Sequence, residues 1–346
     1  MKVAYTTGIR TLPSAPTPLP PLYQNFLELG EMAEDLDFDR VWLSEHHFAE
    51  DNWNCSPLLV LSALTERVKR VRLGTYVTLA AMHNPLRLAE DCATLDILSN
   101  GRFDFGFGAG GSAYEYEIFG VDPKESFGRA YETLEIMSRC WTEDEFSHHG
   151  KYFNYDHVKM TPKPVQRPIP IYSAAGGPQS MQKSAERGYG IVSAGNGPRW
   201  MEYEGLWVEA GHRREDIDVV SGPILIHIAD SKERAWDECE VGMQWCIDFY
   251  ARRPHATMPP PAPVGEFRKV GKAYGQDVPV GSPQDILEAL SRYKDAPIDE
   301  LVFQFGFPGM PHEYAKRAMQ TFAKECLPEI RTWGRARAKA HDAVSA

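Results

Sequence analysis

Segments of strand-like and helix-like apolar spacing alternate along this chain from end to end, and that alternation constrains the fold more than any single motif. Short β-like runs fall at residues 2–7, 40–43, 71–78, 102–107, 169–173, 191–194, 219–229 and 300–305. Helical periodicity follows each of them, at 22–37, 57–68, 85–98, 124–141, 179–187, 199–211, 232–250 and 313–327. Phe26, Leu29, Ala33 and Leu36 share one face of the first helix, and Ser56 with Pro57 is a start signal for the second. Repeated strand–helix units predict parallel strands joined by right-handed crossovers. Eight of them predict an α/β chain closed into a (β/α)8 TIM barrel rather than an open sheet.

Two stretches break the rhythm and are expected as insertions, one after the fourth strand and one around the seventh helix. Residues 143–167 hold an extra strand around 152–155, and 251–283 carry PHATMPPPAPVGEF, a proline-rich candidate lid. Residues 1–330 are expected as one domain, with 331–346 as a C-terminal tail that turns small and charged from Arg335 onward.

The formal net charge of −11 argues against nucleic acid and anionic membranes as partners. No apolar run approaches the ~20 residues of a membrane helix, and the opening MKVAYTTGIRTLPSAP lacks the apolar core of a signal peptide. The six cysteines are scattered without a CxxC pair, as expected for reduced, mostly buried thiols in a cytoplasmic protein.

In such a barrel the chemistry sits on the loops after the strands. The loop after the second strand reads SEHHFAEDNW, residues 44–53. Adjacent histidines point in different directions on any regular backbone, so His46 and His47 are not expected to share a role. Spacing alone allows Glu45–His46 as an acid–base pair, or a structural histidine at a strand end. HExxH spacing is absent and His148-His149 is distant in sequence, so no metal is expected. GFGAGG at 106–111 fits G-x-G-x-x-G, but residues 112–121 do not read as the immediate helix a dinucleotide fingerprint requires. AAGGPQS at 174–180 ends a strand and opens a helix with Pro178, which is an anion site or a simple strand-to-helix turn. Phe48, Trp53, Met82, Phe107, Tyr114 and Tyr116 are placed on the rim, which suggests an apolar or aromatic substrate.

The blocks FDRVWLSEHHFAE (38–50), LGTYVTLAAMHNPLRLAEDCATLDILSNGRFDFGFGAG (73–110), SAERGY (184–189) and PVGSPQDILEAL (279–290) together resemble the bacterial-luciferase-like, flavin-dependent monooxygenases, over roughly residues 1–330. The resemblance implies the same barrel. It also implies reduced FMN supplied by a separate NAD(P)H:flavin reductase, oxygen captured at the flavin C4a as a hydroperoxide, a small organic substrate and a homodimer. His46 matches the family's catalytic histidine and Glu45 a carboxylate near the flavin, which leaves His47 mainly structural. Tyr76 and Val77 match the segment beneath the flavin ring, where luciferase has a non-proline cis peptide. Gly176, Gly177 and Ser180 match the phosphate loop.

Three positions depart from the family. Gly108 stands where luciferase has a reactive cysteine, Ala109 where it has an arginine to the phosphate, and Ala194 or Gly195 where it has a flavin-contacting tryptophan. The resemblance therefore leaves the phosphate's charge partner open and does not carry over light emission. Two other functions fit such a barrel: an oxidoreductase using the deazaflavin F420, and a non-catalytic flavin-binding subunit.

Overall fold

The computed structural model of the chain describes residues 1–193, 198–251, 267–273 and 276–334. Eight strands run parallel: β1 Lys2–Thr6, β2 Arg40–Leu43, β3 Arg72–Thr75, β4 Phe103–Gly108, β5 Ile171–Ser173, β6 Gly190–Ser193, β7 Val219–Leu225 and β8 Glu300–Gln304. Each pairs with the next in sequence, and β8 closes on β1 with Lys2 opposite Glu300. The eight helices that follow the strands are α1 Leu19–Asp35, α2 Pro57–Thr65, α3 Pro85–Leu98, α4 Ser126–Thr142, α5 Pro178–Glu186, α6 Pro198–Glu209, α7 Lys232–Ala251 and α8 His312–Glu325. The expected closed (β/α)8 barrel is the observed one. Among the described residues no helix is long and apolar enough to cross a membrane.

Local chemistry sets the joints. Proline stands in the first turn of α2, α3 and α5, where a missing N–H costs nothing. Asn84 caps α3 by accepting the N–H groups of Leu86 at 3.0 Å and Arg87 at 3.1 Å. Ser56 makes no side-chain cap bond, so the start of α2 rests on Pro57.

The structure departs from the sequence reading in several places. The expected strand at 71–78 is broken after Thr75 and resumes as Thr78–Leu79 against Phe107 and Gly108. The Tyr76–Val77 peptide bond inside the break is cis. The expected strand at 219–229 also divides, and its end, His227–Ile228, pairs with Val280–Gly281. Residues expected to be irregular form a short rim helix, Ala113–Phe119, stopped by Gly120 at a φ of 65°. The single strand expected near 152–155 is a hairpin, Phe146–His149 with Asn154–Val158. Residues 331–334, expected in the tail, belong to the barrel, since Trp333 is buried and the Gly334 N–H reaches the Lys294 carbonyl at 2.9 Å. The remaining tail, 335–346, and residues 252–266 of the expected lid lie outside the described residues.

Alternate residues of each strand face opposite sides. One set packs outward against the helices in a continuous core that includes Val3, Tyr5, Val41, Leu73, Phe103 and Phe105. The other set, Ala4, Trp42, Tyr172, Val192, Val220 and Val302, fills the barrel. Trp42 fits only because residue 74 is glycine: a Cβ there would stand 2.2 Å from Trp42 Cζ3.

Beneath Trp42, at the N-terminal mouth, the filling becomes ionic. Arg40 puts Nε 2.9 Å from Asp104, Nη1 3.2 Å from Glu300 and Nη2 3.2 Å from the Tyr172 hydroxyl. Trp42 Nε1 donates to Glu300 at 2.7 Å, Tyr172 donates to Asp218 at 2.7 Å, and Arg72 forks onto Asp104. Burial pushes the Glu300 carboxyl up to about 7, against the pull of Arg40.

The folded state thus holds the Glu300 proton more tightly than the unfolded chain. The associated stability is fully present below the unfolded value of 4.5 and is lost as pH rises through about 7. Glu300→Gln, which cannot ionise, is expected to flatten the fall in stability between pH 5 and 8 by on the order of 1–3 kcal/mol, read from denaturant midpoints at each pH. Arg40→Met takes the guanidinium away from the buried Glu300 and leaves Asp104 with Arg72 alone, and is expected to cost about 3–5 kcal/mol in the same assay.

Candidate active site

The loop after β2 is pinned to its neighbours before any side chain acts. The His46 N–H donates to the Asn54 carbonyl at 3.1 Å, the Asn54 N–H to the Ile9 carbonyl at 3.0 Å, and Trp53 Nε1 to Ser44 Oγ at 2.9 Å. This folds the loop back so that the Trp53 ring meets the His46 ring edge-on at 4.1 Å, with Phe249 of α7 at 5.4 Å. Arg10 lies over Trp53, 3.7 Å from the ring centroid, and is anchored by Asp51. His46 therefore sits in an aromatic box at the rim, almost wholly buried.

One polar partner is Glu115 of the rim helix, with Oε1 3.2 Å from His46 Nδ1. The same oxygen accepts the His47 N–H at 2.8 Å. A buried carboxylate at Nδ1 selects the tautomer protonated there, which puts the lone pair on Nε2. Glu45 makes no bond to His46, which removes the Glu45–His46 pair that spacing allowed. Glu45 instead accepts His47 Nε2 and His83 Nε2, each at 2.8 Å. Burial alone would raise the Glu45 carboxyl, but these two bonds outweigh it and hold it below the usual range. Burial likewise opposes charge on His83, and the bond to Glu45 wins, raising the imidazole above its ordinary value. The adjacent histidines do part company, one to each side.

A second part of the rim is flat and apolar. Tyr76 turns down into the barrel, its ring 5.5 Å from Trp42 and its hydroxyl donating to the Gly222 carbonyl at 2.7 Å. A Cβ on Gly108 would stand 3.0 Å from Val77 Cγ2 and 3.8 Å from the Ala174 Cβ, so Val77, the buried Gly108 and Ala174 adjoin one another with no side chain at 108 between them. Ala109 contributes backbone, its carbonyl accepting the Tyr116 hydroxyl at 3.1 Å. In the loop before α5, the Gly177 N–H donates to Ser180 Oγ at 3.1 Å and Ser180 Oγ to the Gly177 carbonyl at 2.8 Å. Arg199, in the first turn of α6, places Nη1 3.5 Å from where a Cβ on Gly176 would stand. Ala194 lies outside the described residues.

Two residues escaped the sequence reading. Glu115 was hidden because the rim helix is too short to show a period. Arg199 follows the segment that joins β6 to α6, and only its place beside Gly176 marks it. The aromatic rim needs one correction: Phe107 faces outward, 5.5 Å from Tyr131 and 6.0 Å from Tyr189. Phe48 and Tyr114 are exposed, and Trp53 belongs to the box around His46.

Comparison with known proteins agrees with this geometry. The sequence profile of the family described as luciferase-like monooxygenase matches residues 1–300. The chain is 26% identical over 327 residues to the oxygenase component of the flavin-dependent trigonelline monooxygenase of Acinetobacter baylyi, covering 89% of each protein. It is 27% identical over 330 residues to an F420-dependent glucose-6-phosphate dehydrogenase of Amycolatopsis mediterranei, covering 90% of this chain and 96% of that one. The crystal structure of monooxygenase RslO1 from Streptomyces bottropensis superposes with a TM-score of 0.83 at 26% identity, covering 95% of this chain and all of that one. The chain belongs to the luciferase-like monooxygenase family and is an enzyme of that oxidoreductase class.

Proposed function

We propose that this chain is the oxygenase component of a two-component monooxygenase. It would take reduced FMN from a separate NAD(P)H:flavin reductase, use oxygen, and oxygenate a small apolar or aromatic substrate as a homodimer in the cytoplasm. The observation that carries the reading is the close packing of Val77 and Ala174 about Gly108, which leaves no room for a side chain at 108, on the rim that also bears His46. A flat ring system needs such a floor, and a side chain at 108 would press on Val77. The flavin-dependent relative, matched along most of its length, supports a flavin cofactor.

The residues present fit FMN. Val77 and Gly108 would lie under the ring, and Tyr76 fixes that floor from below through Gly222. The Gly176–Gly177 backbone, Ser180 and the guanidinium of Arg199 would hold the phosphate. Arg199 supplies the positive charge for which the sequence offered no candidate. Bound reduced FMN supplies the oxygen activation. The protein's own part is to shield the site and manage protons. Trp53 and Phe249 keep water from the His46 ring, Glu115 holds Nδ1, and Nε2 takes a proton from the substrate or returns one to the leaving hydroxide. Glu45 acts through the loop, by fixing His47.

A second reading, hydride transfer with F420 in the same cradle, is favoured by the F420-dependent relative. Rapid mixing of the anaerobic protein–FMNH2 complex with oxygenated buffer separates the two. A long-lived absorbing species distinct from oxidised FMN is expected. Oxidation as fast as that of free FMNH2, or no binding of it, would move the assignment to the deazaflavin.

His46→Ala is expected to lower kcat by about 10²–10⁴-fold. Glu115→Gln is expected to lower kcat by up to about 10²-fold and to shift its pH profile, with flavin affinity kept. Parent turnover in His46→Ala would remove the proton role. Arg199→Ala is expected to weaken FMN binding by about 10–100-fold while leaving riboflavin, which lacks the phosphate, unaffected, as fluorescence titration of both would show.

A further inference from the structure

The loop after β2 and the loop after β3 bring three metal-ligating side chains together on the rim. Glu45 and His47 come from the first loop and His83 from the second. One ligand atom from each, Glu45 O, His47 N and His83 N, lies within 4.8 Å of the other two. Glu45 Oε1 stands 2.8 Å from both Nε2 atoms. The other carboxylate oxygen, Oε2, is buried and has no hydrogen-bond partner among the described residues. Buried carboxylates normally use both oxygens, so this residue has coordinating capacity that the protein itself leaves unused. The three side chains grade from closed to open: that of Glu45 is 1% exposed, His47 12% and His83 32%. An ion would enter past His83.

We propose that Glu45, His47 and His83 form a binding site for a divalent transition metal ion. Two imidazoles and one carboxylate on one face of an ion are a donor set used by zinc and by non-haem iron, with the remaining positions left to water. At metal–ligand distances of about 2.0–2.2 Å, donors in a tetrahedral arrangement stand about 3.3 Å apart. The present 2.8 Å contacts therefore open by about half an ångström when an ion replaces the bridging hydrogens. Each neutral imidazole then carries its proton on Nδ1 and presents the Nε2 lone pair. The site borders the active site, because the His47 backbone N–H that caps Glu115 belongs to the same residue that would ligate the ion. An ion here would fix the turn that carries His46. The proposal does not rest on the flavin reading, and it is tested without flavin.

The experiment is a cobalt titration of chelator-treated protein, followed by visible absorption, with zinc as competitor and metal content measured after gel filtration. One Co2+ per chain is expected, with a visible spectrum that Zn2+ abolishes. His83→Ala, at the open end of the site, and Glu45→Gln, which is nearly isosteric, are each expected to weaken binding at least tenfold, with folding checked by circular dichroism. His83→Asp, which keeps a ligand, is expected to retain it. The hairpin also carries exposed histidine–acid pairs, His149 with Asp156 and His157 with Glu145, which are the alternative site for a surface-bound ion. The double variant His149→Ala/His157→Ala is expected to bind cobalt as the parent does. Absence of a cobalt spectrum at stoichiometric metal, full binding by a folded His83→Ala protein, or loss of binding in the hairpin variant would each overturn the proposal.

Discussion

The barrel closes around Arg40. Its guanidinium, almost fully buried, contacts residues of β4, β5 and β8 while belonging to β2, so one side chain bridges half the strands of the closed sheet. The surrounding acids cannot be desolvated without it, and it cannot be desolvated without them. Trp42 stands directly above, tied to the same Glu300 by its indole N–H. Above that lies the Tyr76 ring, and on top the Val77–Gly108 floor. The rim that carries the candidate site is thus the upper surface of a column of side chains whose base is an ion cluster. Gly74 serves the same column, since the room it leaves is filled by Trp42.

The rim works by dividing two adjacent histidines between two environments. His46 turns into an aromatic box with one carboxylate, and His47 turns to another carboxylate shared with His83. Each of these carboxylates accepts more than one donor, and for Glu45 the two imidazole bonds outweigh burial and keep it in the ionised, accepting role. The exposed aromatics Phe48, Tyr114 and Phe119 gather outside these pairs, Phe48 meeting Tyr114 at 6.1 Å and Phe119 at 5.6 Å.

The architecture was legible because burial on two faces leaves a period in the sequence. Strand–helix alternation, the prolines that open α2, α3 and α5, and the glycine-rich turn before α5 all follow from local rules. The position of His46 was legible for the same reason, as a polar residue directly after an apolar strand. Its partner was not. Glu115 lies 69 residues further on, in a helix of two turns, and reaches His46 only because barrel closure sets the two loops side by side. The meeting of His83 with Glu45 is of the same kind, arising from adjacent strands 38 residues apart. Sequence distance conceals such pairs, and spacing could offer only the adjacent carboxylate, Glu45, which bonds His47 and His83 instead. The breaks in the third and seventh strands were missed because strand-like residues continue straight through them.

One oxygen of Glu115 holds both the imidazole of His46 and the backbone of His47. The orientation of the ring and the shape of the loop are therefore not independent variables. A molecule arriving at the rim that displaces the Ala113–Phe119 helix withdraws both restraints in one movement, and one that seats it restores both. The short helix is in effect a coincidence detector: the His46 ring and the His47 backbone are held together or released together.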